Sequence, residues 1–555
     1  MAAGCGHPLR DIDARARRLA AERSAAIGGG AVAPEAEFAD AIDGERRAGT
    51  SKTPATVNPS ASELRFDAAE ATRDVASRLA AYAERSTGSG EQARRLTLTD
   101  ALKQAQRTSR EYLDAEEDYI LAAIRLLVER HLWGPRLFND TSVTISGEGD
   151  EGDFQHAVSV VNDLRVTKRL PYGGQVEAAW VWRATEQLRE QATGRYRQSS
   201  ELALSGTVPL LRGAGLVAQE SLIQAERELV YAARAFETFR RQFLVGVAAD
   251  YFDLLQSRAQ IRNQEAQLES LKLIERGQSA RFDAGRIAEF DKNIAVNQVL
   301  EATAGLAGQR ESYILQLERF KIRLGLPSET PIEVDDALLE IPDPDITLDE
   351  ASRRALEYRL DVQTRRDQLD DAARSVANAR NALLPNLDAS ARVALPTDPD
   401  AREGGVNFQG EDLRYSAGLT FGLPLDRETE RLALRQALIG YRSRQRAFEQ
   451  FRDEVAVGVR QAVRTIDLAR FQLRLAEEQV IINQRRMREL EIKADEVDTQ
   501  KRVDAANELQ RAANSRDRAR TNLRNAILNY LRDSGQLRVA RDGTFQPLPG
   551  MGDGP

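Results

Sequence analysis

Hydrophobic residues recur at intervals of seven in two long stretches of this chain, and both stretches contain the same interruption. The first stretch comprises Leu222, Leu229, Phe236, Phe243, Val247, Leu254, Ile261 and Leu268, and the second comprises Leu434, Tyr441, Phe448, Val455, Val459, Ile466, Leu473, Val480 and Met487. The interval shortens to four at Val247 and again at Val459, which lie 212 residues apart. Heptads impose a left-handed supercoil, and a four-residue insertion locally unwinds it. The pattern therefore predicts two long, nearly straight helices that arose by duplication.

A return helix is expected after each long helix, because proline is absent between Pro209 and Pro327 and again between Pro424 and Pro547. Each region has room for a first helix of about 65 residues, a turn and a second helix of about 35 residues. The predicted turns are at 282–286 and 493–497.

Each copy is also predicted to begin with a shorter helix. Thr97 and Thr347 lie 250 residues apart, and acidic residues follow each of them, which is typical of a helix N-terminus. The first of these helices should stop before Pro135 and the second before Pro385, because proline does not continue a helix.

Alternation of apolar with polar or small residues predicts strands between the shorter and the long helix of each copy. The predicted strands are 142–146, 158–169, 176–182 and 202–208 in the first copy, and 388–395 and 415–423 in the second. The first copy would thus supply four strands and the second two. Segments of about nine or ten residues can cross a bilayer when tilted, and one apolar face with one polar face suits a β-barrel with a wet lumen. Residues 396–413 are expected to form an exposed loop.

The elements divide the chain into four predicted parts. Residues 1–95 are rich in Ala, Gly, Ser and charge and lack a sustained period, so they are predicted to form an extended or linker segment. Residues 96–340 form the first repeat, residues 346–540 the second, and residues 541–555 a C-terminal tail.

Composition narrows the function. The formal net charge is −8 and no dominant basic patch is present, so nucleic acid is not an expected partner. No run approaches the ~20 apolar residues of a membrane-spanning helix. The three histidines, His7, His131 and His156, share no metal-ligand spacing, and no catalytic constellation is found. The sequence therefore predicts neither an enzyme nor a metal site nor a cofactor.

Cys5 is the only cysteine, so a disulfide within one chain is impossible. It follows Gly4 and two alanines, and small residues before a cysteine resemble the end of a bacterial lipoprotein signal, although the charged and apolar regions of such a signal are absent upstream. Two interpretations stay open, namely lipidation of Cys5 and a chance cysteine in an N-terminal tail.

The order of these features resembles that of TolC-like outer-membrane efflux proteins over about residues 96–540. The resemblance rests on the duplication, on the Pro-Leu exits from strand to long helix at Pro209 and Pro424, and on the turn at 281–287. It implies a mixed α and β fold, internally duplicated, in which a long antiparallel α-helical barrel continues a transmembrane β-barrel and trimerisation completes both. Many members carry a lipid on an N-terminal cysteine, which favours lipidation of Cys5.

The resemblance further implies an outer-membrane channel subunit of a tripartite efflux or type I secretion system, with a periplasmic extension and outer-membrane lipid around its barrel. Such a homotrimer is a passive conduit from the periplasm to the exterior. A periplasmic adaptor, joined to an inner-membrane pump or exporter, opens it at the periplasmic tip. Docking of the adaptor is expected at the two turns, at Gly285, Arg286, Asp495 and Glu496.

The pore constriction is expected at the same tip. Family members place aspartates at the start of the last helix, and Asp504 matches one of them. Lys501 stands where family members have another of these aspartates, and it aligns with Asp291 of the first copy. A ring of three Asp504 carboxylates would favour cations, and Lys501 nearby would weaken that field. The alternative interpretation of these three residues is a solvated helix face.

Two other functions are compatible with long helices. A non-channel periplasmic coiled-coil scaffold would use its strands as a small soluble domain, and a periplasmic adaptor would carry one helical hairpin between β halves. The doubled strand blocks and the pair Trp180 and Trp182 argue against the scaffold, and two tandem hairpins argue against the adaptor. The tryptophans are expected either as membrane-interface anchors or as packing between subunits.

Overall fold

The structure is a computed structural model that describes residues 8–26, 94–150, 153–188, 197–335, 347–397, 405–493, 497–540 and 545–546. The helices are α1 (Pro8–Ala26), α2 (Leu98–Thr108), α3 (Arg110–Trp133), α4 (Glu220–Asp283), α5 (Glu289–Arg323), α6 (Leu348–Tyr358), α7 (Leu360–Asn381), α8 (Glu428–Ile492) and α9 (Thr499–Asp533). The strands are β1 (Arg94–Leu96), β2 (Arg136–Asp150), β3 (Asp153–Arg169), β4 (Gln175–Leu188), β5 (Arg197–Pro209), β6 (Ile332–Val334), β7 (Asn386–Pro396), β8 (Arg414–Gly422), β9 (Arg538–Val539) and β10 (Phe545–Gln546). Cys5, Asp495 and Glu496 lie outside the described residues.

The chain divides into two compact units. The strand unit consists of Met1–Ala20, Ile120–Ala232 and Thr364–Gln450, and it holds the large sheet. The helical unit consists of Ala21–Tyr119, Ala233–Gln363 and Phe451–Pro555, and it holds both return helices, α5 and α9. None of the helices in the described ranges combines the length and the apolarity needed to cross a membrane.

The predicted long helices are confirmed, with 64 residues in α4 and 65 in α8, and each is followed by a return helix of 35 residues. The residues at the two heptad interruptions, Val247 and Val459, are both fully buried. Most other seam positions of α4 and α8 are buried or half-buried as well. The seam therefore stabilises these helices through removal of apolar surface from water.

Both shorter helices start where the sequence predicts. The Thr97 hydroxyl accepts a hydrogen bond from the backbone N–H of Asp100, and the Thr347 hydroxyl accepts one from the backbone N–H of Glu350. These side chains satisfy N–H groups that have no partner within the first turn of a helix.

Each shorter helix is broken into two, which corrects the prediction of one uninterrupted helix per copy. The break falls at Ser109 in the first copy and at Arg359 in the second, again 250 residues apart. Their backbone angles are almost the same, with φ −67° and ψ 125° at Ser109 and φ −68° and ψ 124° at Arg359. The break is therefore a repeated feature of the fold.

A glycine from a return helix explains each break. Gly325 follows α5 and Gly535 follows α9, both with φ +73°, and each glycine lies against the backbone where a shorter helix is interrupted. A Cβ on Gly325 would lie 1.9 Å from the carbonyl oxygen of Thr108, and one on Gly535 would lie 2.9 Å from the carbonyl carbon of Tyr358. The left-handed conformation and the close approach both require glycine here.

The buried Arg240 of α4 pairs with a carboxylate on its own helix and ties α4 by a hydrogen bond to the segment after α9 in the helical unit. Arg240 is almost fully buried, pairs with Glu237 at 3.3 Å and donates to the backbone carbonyl of Ala540 at 3.1 Å. Because a buried charge is costly unless it is paired, these contacts account for its place in the core. Burial also raises the pKa of the neighbouring Tyr112 to about 12.

The six long strands form one antiparallel sheet in the order β2-β3-β4-β5-β7-β8. The first copy supplies four of these strands and the second copy two, as the alternation predicts. The strands of the first copy have 13 to 17 residues, which corrects the expected nine or ten, whereas β7 and β8 have 11 and nine. Strands β2 and β8 are the two edges.

Candidate functional site

One face of the large sheet is largely apolar and exposed, with Asn139, Thr141 and Asn162 as one hydrogen-bonded polar group within it. The strand register places eleven large exposed side chains on this face, namely Leu137, Val143, Ile145, Val166, Trp180, Leu202, Leu204, Val393, Tyr415, Leu419 and Phe421. Soluble monomers rarely expose a contiguous apolar surface that covers a whole sheet. This face therefore suits an apolar medium.

The opposite face is polar and carries ion pairs. The Arg165 guanidinium lies 2.6 Å from a carboxylate oxygen of Asp140 on the neighbouring strand and 2.6 Å from one of Asp163 on its own strand. Further across the sheet, Arg392 of β7 pairs with Glu201 of β5. Pairs of this kind tolerate contact with water, so the polar face suits an aqueous lumen.

The two tryptophans of β4 lie on the apolar face but in different surroundings. Trp180 is 41% exposed. Trp182 is approached by Gly405, where an added Cβ would lie 3.0 Å from its indole nitrogen. Gly405 thus lies against the sheet and Phe408 forms a β-bridge with Thr397, whereas Val406 and residues 409–413 are exposed, as expected for a loop. Trp180 remains available as an anchor at a membrane interface.

The first turn between a long helix and its return helix is built as the sequence suggests. Gly285 follows α4 with φ +66°, and its N–H donates to the carbonyl of Phe282 at 2.8 Å. The N–H of Arg286 donates to the carbonyl of Arg281 at 2.8 Å, which completes a glycine-capped helix end. Gly285 and Arg286 are both exposed, so a partner can reach them.

The predicted constriction residues lie at the starts of the two return helices. Asp291 is in the first turn of α5, and Lys501 and Asp504 are in the first two turns of α9. A carboxylate oxygen of Asp504 accepts a hydrogen bond from the Gln500 side chain at 2.8 Å, whereas Lys501 is exposed. Lys501 and Asp504 are three residues apart on α9 and so lie on the same side of the helix, and among the described residues no hydrogen bond or ion pair joins them to each other or to Asp291.

Four helices share one apolar core close to these turns. The core consists of Leu268, Leu271, Ile274, Ala295, Ala302, Leu306, Met487, Val503, Ala505 and Ala506. Amide pairs adjoin it, because Gln267 donates to Asn507 at 2.6 Å and Gln510 donates to Gln264 at 2.9 Å. Sequence reasoning missed these amides, although Asn263, Gln264 and Gln267 follow helical spacing on α4 and could have indicated a hydrogen-bonded face.

The described ranges contain no group of three or more His, Cys, Asp or Glu side chains that could hold a metal ion.

No protein-family model and no curated protein matches the sequence. Solved structures of outer-membrane channels do match. The CmeC outer-membrane channel of Campylobacter jejuni has a TM-score of 0.59 at 15% identity, over 79% of this chain and 85% of that chain. The outer-membrane channel OprN has a TM-score of 0.60 at 16% identity, over 81% and 95%. The outer-membrane protein VceC of Vibrio cholerae has a TM-score of 0.56 at 14% identity, over 79% and 96%.

This chain therefore has the fold of these outer-membrane channels, and the resemblance to the TolC-like family is confirmed at the level of fold. The matches extend over at least 79% of the chain. They consequently include most of its duplicated helices and strands rather than one local motif.

Proposed function

We propose that this protein is a channel subunit of the outer membrane, in a tripartite efflux or type I secretion system. The observation that carries the proposal is the two-faced sheet, whose apolar face meets lipid and whose ion-paired face lines a watery path. The channel fold of the solved relatives supports it. The protein conducts its cargo passively, from the periplasm to the exterior.

Three copies complete the channel. Within the described ranges, no strand pairs with the outer sides of the edge strands β2 and β8, and lipid cannot satisfy backbone groups left unpaired there. Pairing of β8 in one copy with β2 in the next satisfies these groups and closes a barrel. The homotrimer sits in outer-membrane lipid, its helices extend into the periplasm, and a lipid on Cys5 provides a second anchor.

The tip formed by the two helix turns is the gate. Asp504, Lys501 and Asp291 of three chains meet there and form the constriction, with three Asp504 carboxylates favouring cations. A periplasmic adaptor docks at Gly285, Arg286, Asp495 and Glu496, and moves the helices outward by binding the open state more tightly. The inner-membrane pump or exporter to which the adaptor is joined supplies the energy.

Single-channel recording in planar bilayers tests the proposal. The purified protein should give stable, ohmic conductance steps. Asp504→Ala should raise the conductance several-fold and reduce the cation preference, measured as the reversal potential in a salt gradient, because it removes the ring of carboxylates. Lys501→Ala is the matched control on the same helix, and it should shift the reversal potential toward stronger cation preference.

Two other results of these recordings would contradict the proposal in part or as a whole. Conductance that neither substitution changes would keep the channel but remove the gate from Asp504. Folded protein that never inserts into bilayers would overturn the channel and favour a non-channel periplasmic scaffold.

A further inference from the structure

The two copies differ most in their strands. In the second copy, only two long strands, β7 and β8, lie between the shorter helix α7 and the long helix α8. In the first copy, β2 follows α3 and β5 precedes α4, and two additional strands, β3 and β4, lie between them. The sheet of one chain therefore has six strands instead of four.

The additional strands are paired on their outer sides along most of their length. Strand β3 pairs with β2 from Arg136 and Thr167 to Asp150 and Asp153, and β4 pairs with β5 from Gln175 to Thr185. Both outer edges of the inserted hairpin are thus used within the sheet. A hairpin lying over the sheet or beside it would leave β2 and β5 paired with each other instead.

The turn that joins β3 to β4 is fixed to the exit from the sheet into α4. Gly174 has φ +83°, and a Cβ on it would lie 1.8 Å from the carbonyl oxygen of Thr207 in β5. The carbonyl of Tyr172 accepts the N–H of Gly215 at 2.7 Å, and that of Pro171 accepts the side chain of Gln219 at 2.7 Å. These contacts hold the inserted hairpin in register with the original strands.

Both faces of the sheet continue across the insertion. Val166 of β3 and Trp180 of β4 belong to the exposed apolar face. On the polar face, Arg165 of β3 is flanked by Asp140 of β2 and by its own-strand neighbour Asp163. The inserted strands therefore present the same two media, lipid and water, as the rest of the sheet.

We infer that three copies close an eighteen-stranded barrel, whose lumen admits cargo too wide for a twelve-stranded one. This inference rests on the proposed trimeric channel. With strands about 4.8 Å apart and tilted about 40°, eighteen strands give a backbone diameter of about 36 Å, against about 24 Å for twelve. The cross-section is about twofold larger, and barrels of this strand number leave an open aqueous channel. The cargo class is therefore polymers or bulky solutes about 2 nm wide, and size selection falls to the helical tip.

Electron cryomicroscopy of the purified full-length protein in nanodiscs tests the strand number directly. Eighteen strands around one barrel support the inference. Twelve strands, with three hairpins folded outside the barrel, overturn it and leave the channel proposal intact. A particle without a closed barrel overturns the proposed function itself.

A deletion variant tests the width. Removal of residues 151–190 joins β2 to β5 and leaves four antiparallel strands per chain. We expect polyethylene glycols added on the sheet side of planar bilayers to be excluded at a size about one third smaller than in the full chain. An unchanged exclusion size in a variant that still forms channels would overturn the inference. If the variant does not fold, the strand count of the full chain still decides.

Discussion

The two long helices carry the same heptad seam, yet α4 and α8 use the neighbouring face in opposite ways. On α4 this face carries amides, and Asn263 donates to both Asn514 and Asp517 of α9 at 2.9 Å. On α8 the position 212 residues later is Leu475, which is half exposed, as are Leu468 and Ile482. Duplication thus preserved the seam that each helix needs in order to fold. The second face diverged according to what covers it: α9 of the same chain covers α4, and we expect another copy of the proposed trimer to cover α8.

The largest difference in stability between the copies is expected on substitution of Gly325 and Gly535, the glycines that follow the two return helices. Gly325→Ala should lower the free energy of unfolding by at least about 3 kcal/mol, because its Cβ meets the Thr108 carbonyl and the backbone must move. Gly535→Ala should cost only about 1–2 kcal/mol, which is the strain of a positive φ together with a milder contact. Thermal unfolding in detergent, followed by circular dichroism, measures both. Equal shifts in melting temperature would show that the two joints are equivalent.

The exposed apolar stripe of α8, which consists of Leu468, Leu475 and Ile482, should matter for association of the subunits rather than for folding of the chain. Leu475→Asn gives α8 the residue that α4 has, and it removes about 1.5–3 kcal/mol of apolar burial per contact in the proposed trimer. We expect the trimer fraction at fixed protein concentration to fall at least tenfold, measured by light scattering after size-exclusion chromatography. The melting temperature of the chain itself should change little.

Asn263→Leu is the reciprocal control for that stripe. It leaves Asn514 without its donor and should lower the melting temperature without changing association, since a buried group that loses its partner costs about 1–3 kcal/mol. If Leu475→Asn left the trimer intact, the stripe would not be the subunit interface.

The smallest effects on the free energy of unfolding are expected at Gly246 of α4 and Gly458 of α8, which occupy equivalent positions in the two copies. Substitution by alanine should have opposite signs at the two positions. A Cβ on Gly246 would lie 2.4 Å from the guanidinium of Arg323, which pairs with Asp250 at 2.6 Å, whereas Gly458 has open space around it. Gly246→Ala should therefore destabilise by about 1 kcal/mol, and Gly458→Ala should stabilise by about 0.5–1 kcal/mol through helix propensity.

A double substitution identifies the cause at Gly246. Denaturant unfolding of Gly246→Ala in an Arg323→Met background should show little further loss, because the displaced guanidinium is already absent. A full loss in that background would assign the cost to the helix backbone instead.

What the sequence predicted well is what depends on local periodicity. The seam, the helix caps at Thr97 and Thr347 and the number of strands all follow from residues close together in the chain. The break at Ser109 does not, because its cause is Gly325, more than two hundred residues away, and nothing in the local sequence demands it. The same holds for Trp182, whose surroundings depend on Gly405 from the other copy. At the tip, Asp504 and Lys501 lie at the start of α9 as predicted, but their role depends on neighbouring chains and stays a prediction.

The inserted hairpin has a consequence for how such channels diversify. Because an antiparallel chain must return to the side from which it left, strands can be added between β2 and β5 only in pairs. Each pair leaves the ends of α3 and α4 where they were, and in the proposed trimer it would add six strands to the barrel. If the proposed barrel forms, the width of its bore can change only in steps, each of which needs one genetic insertion, and the sequence of the long helices stays the same.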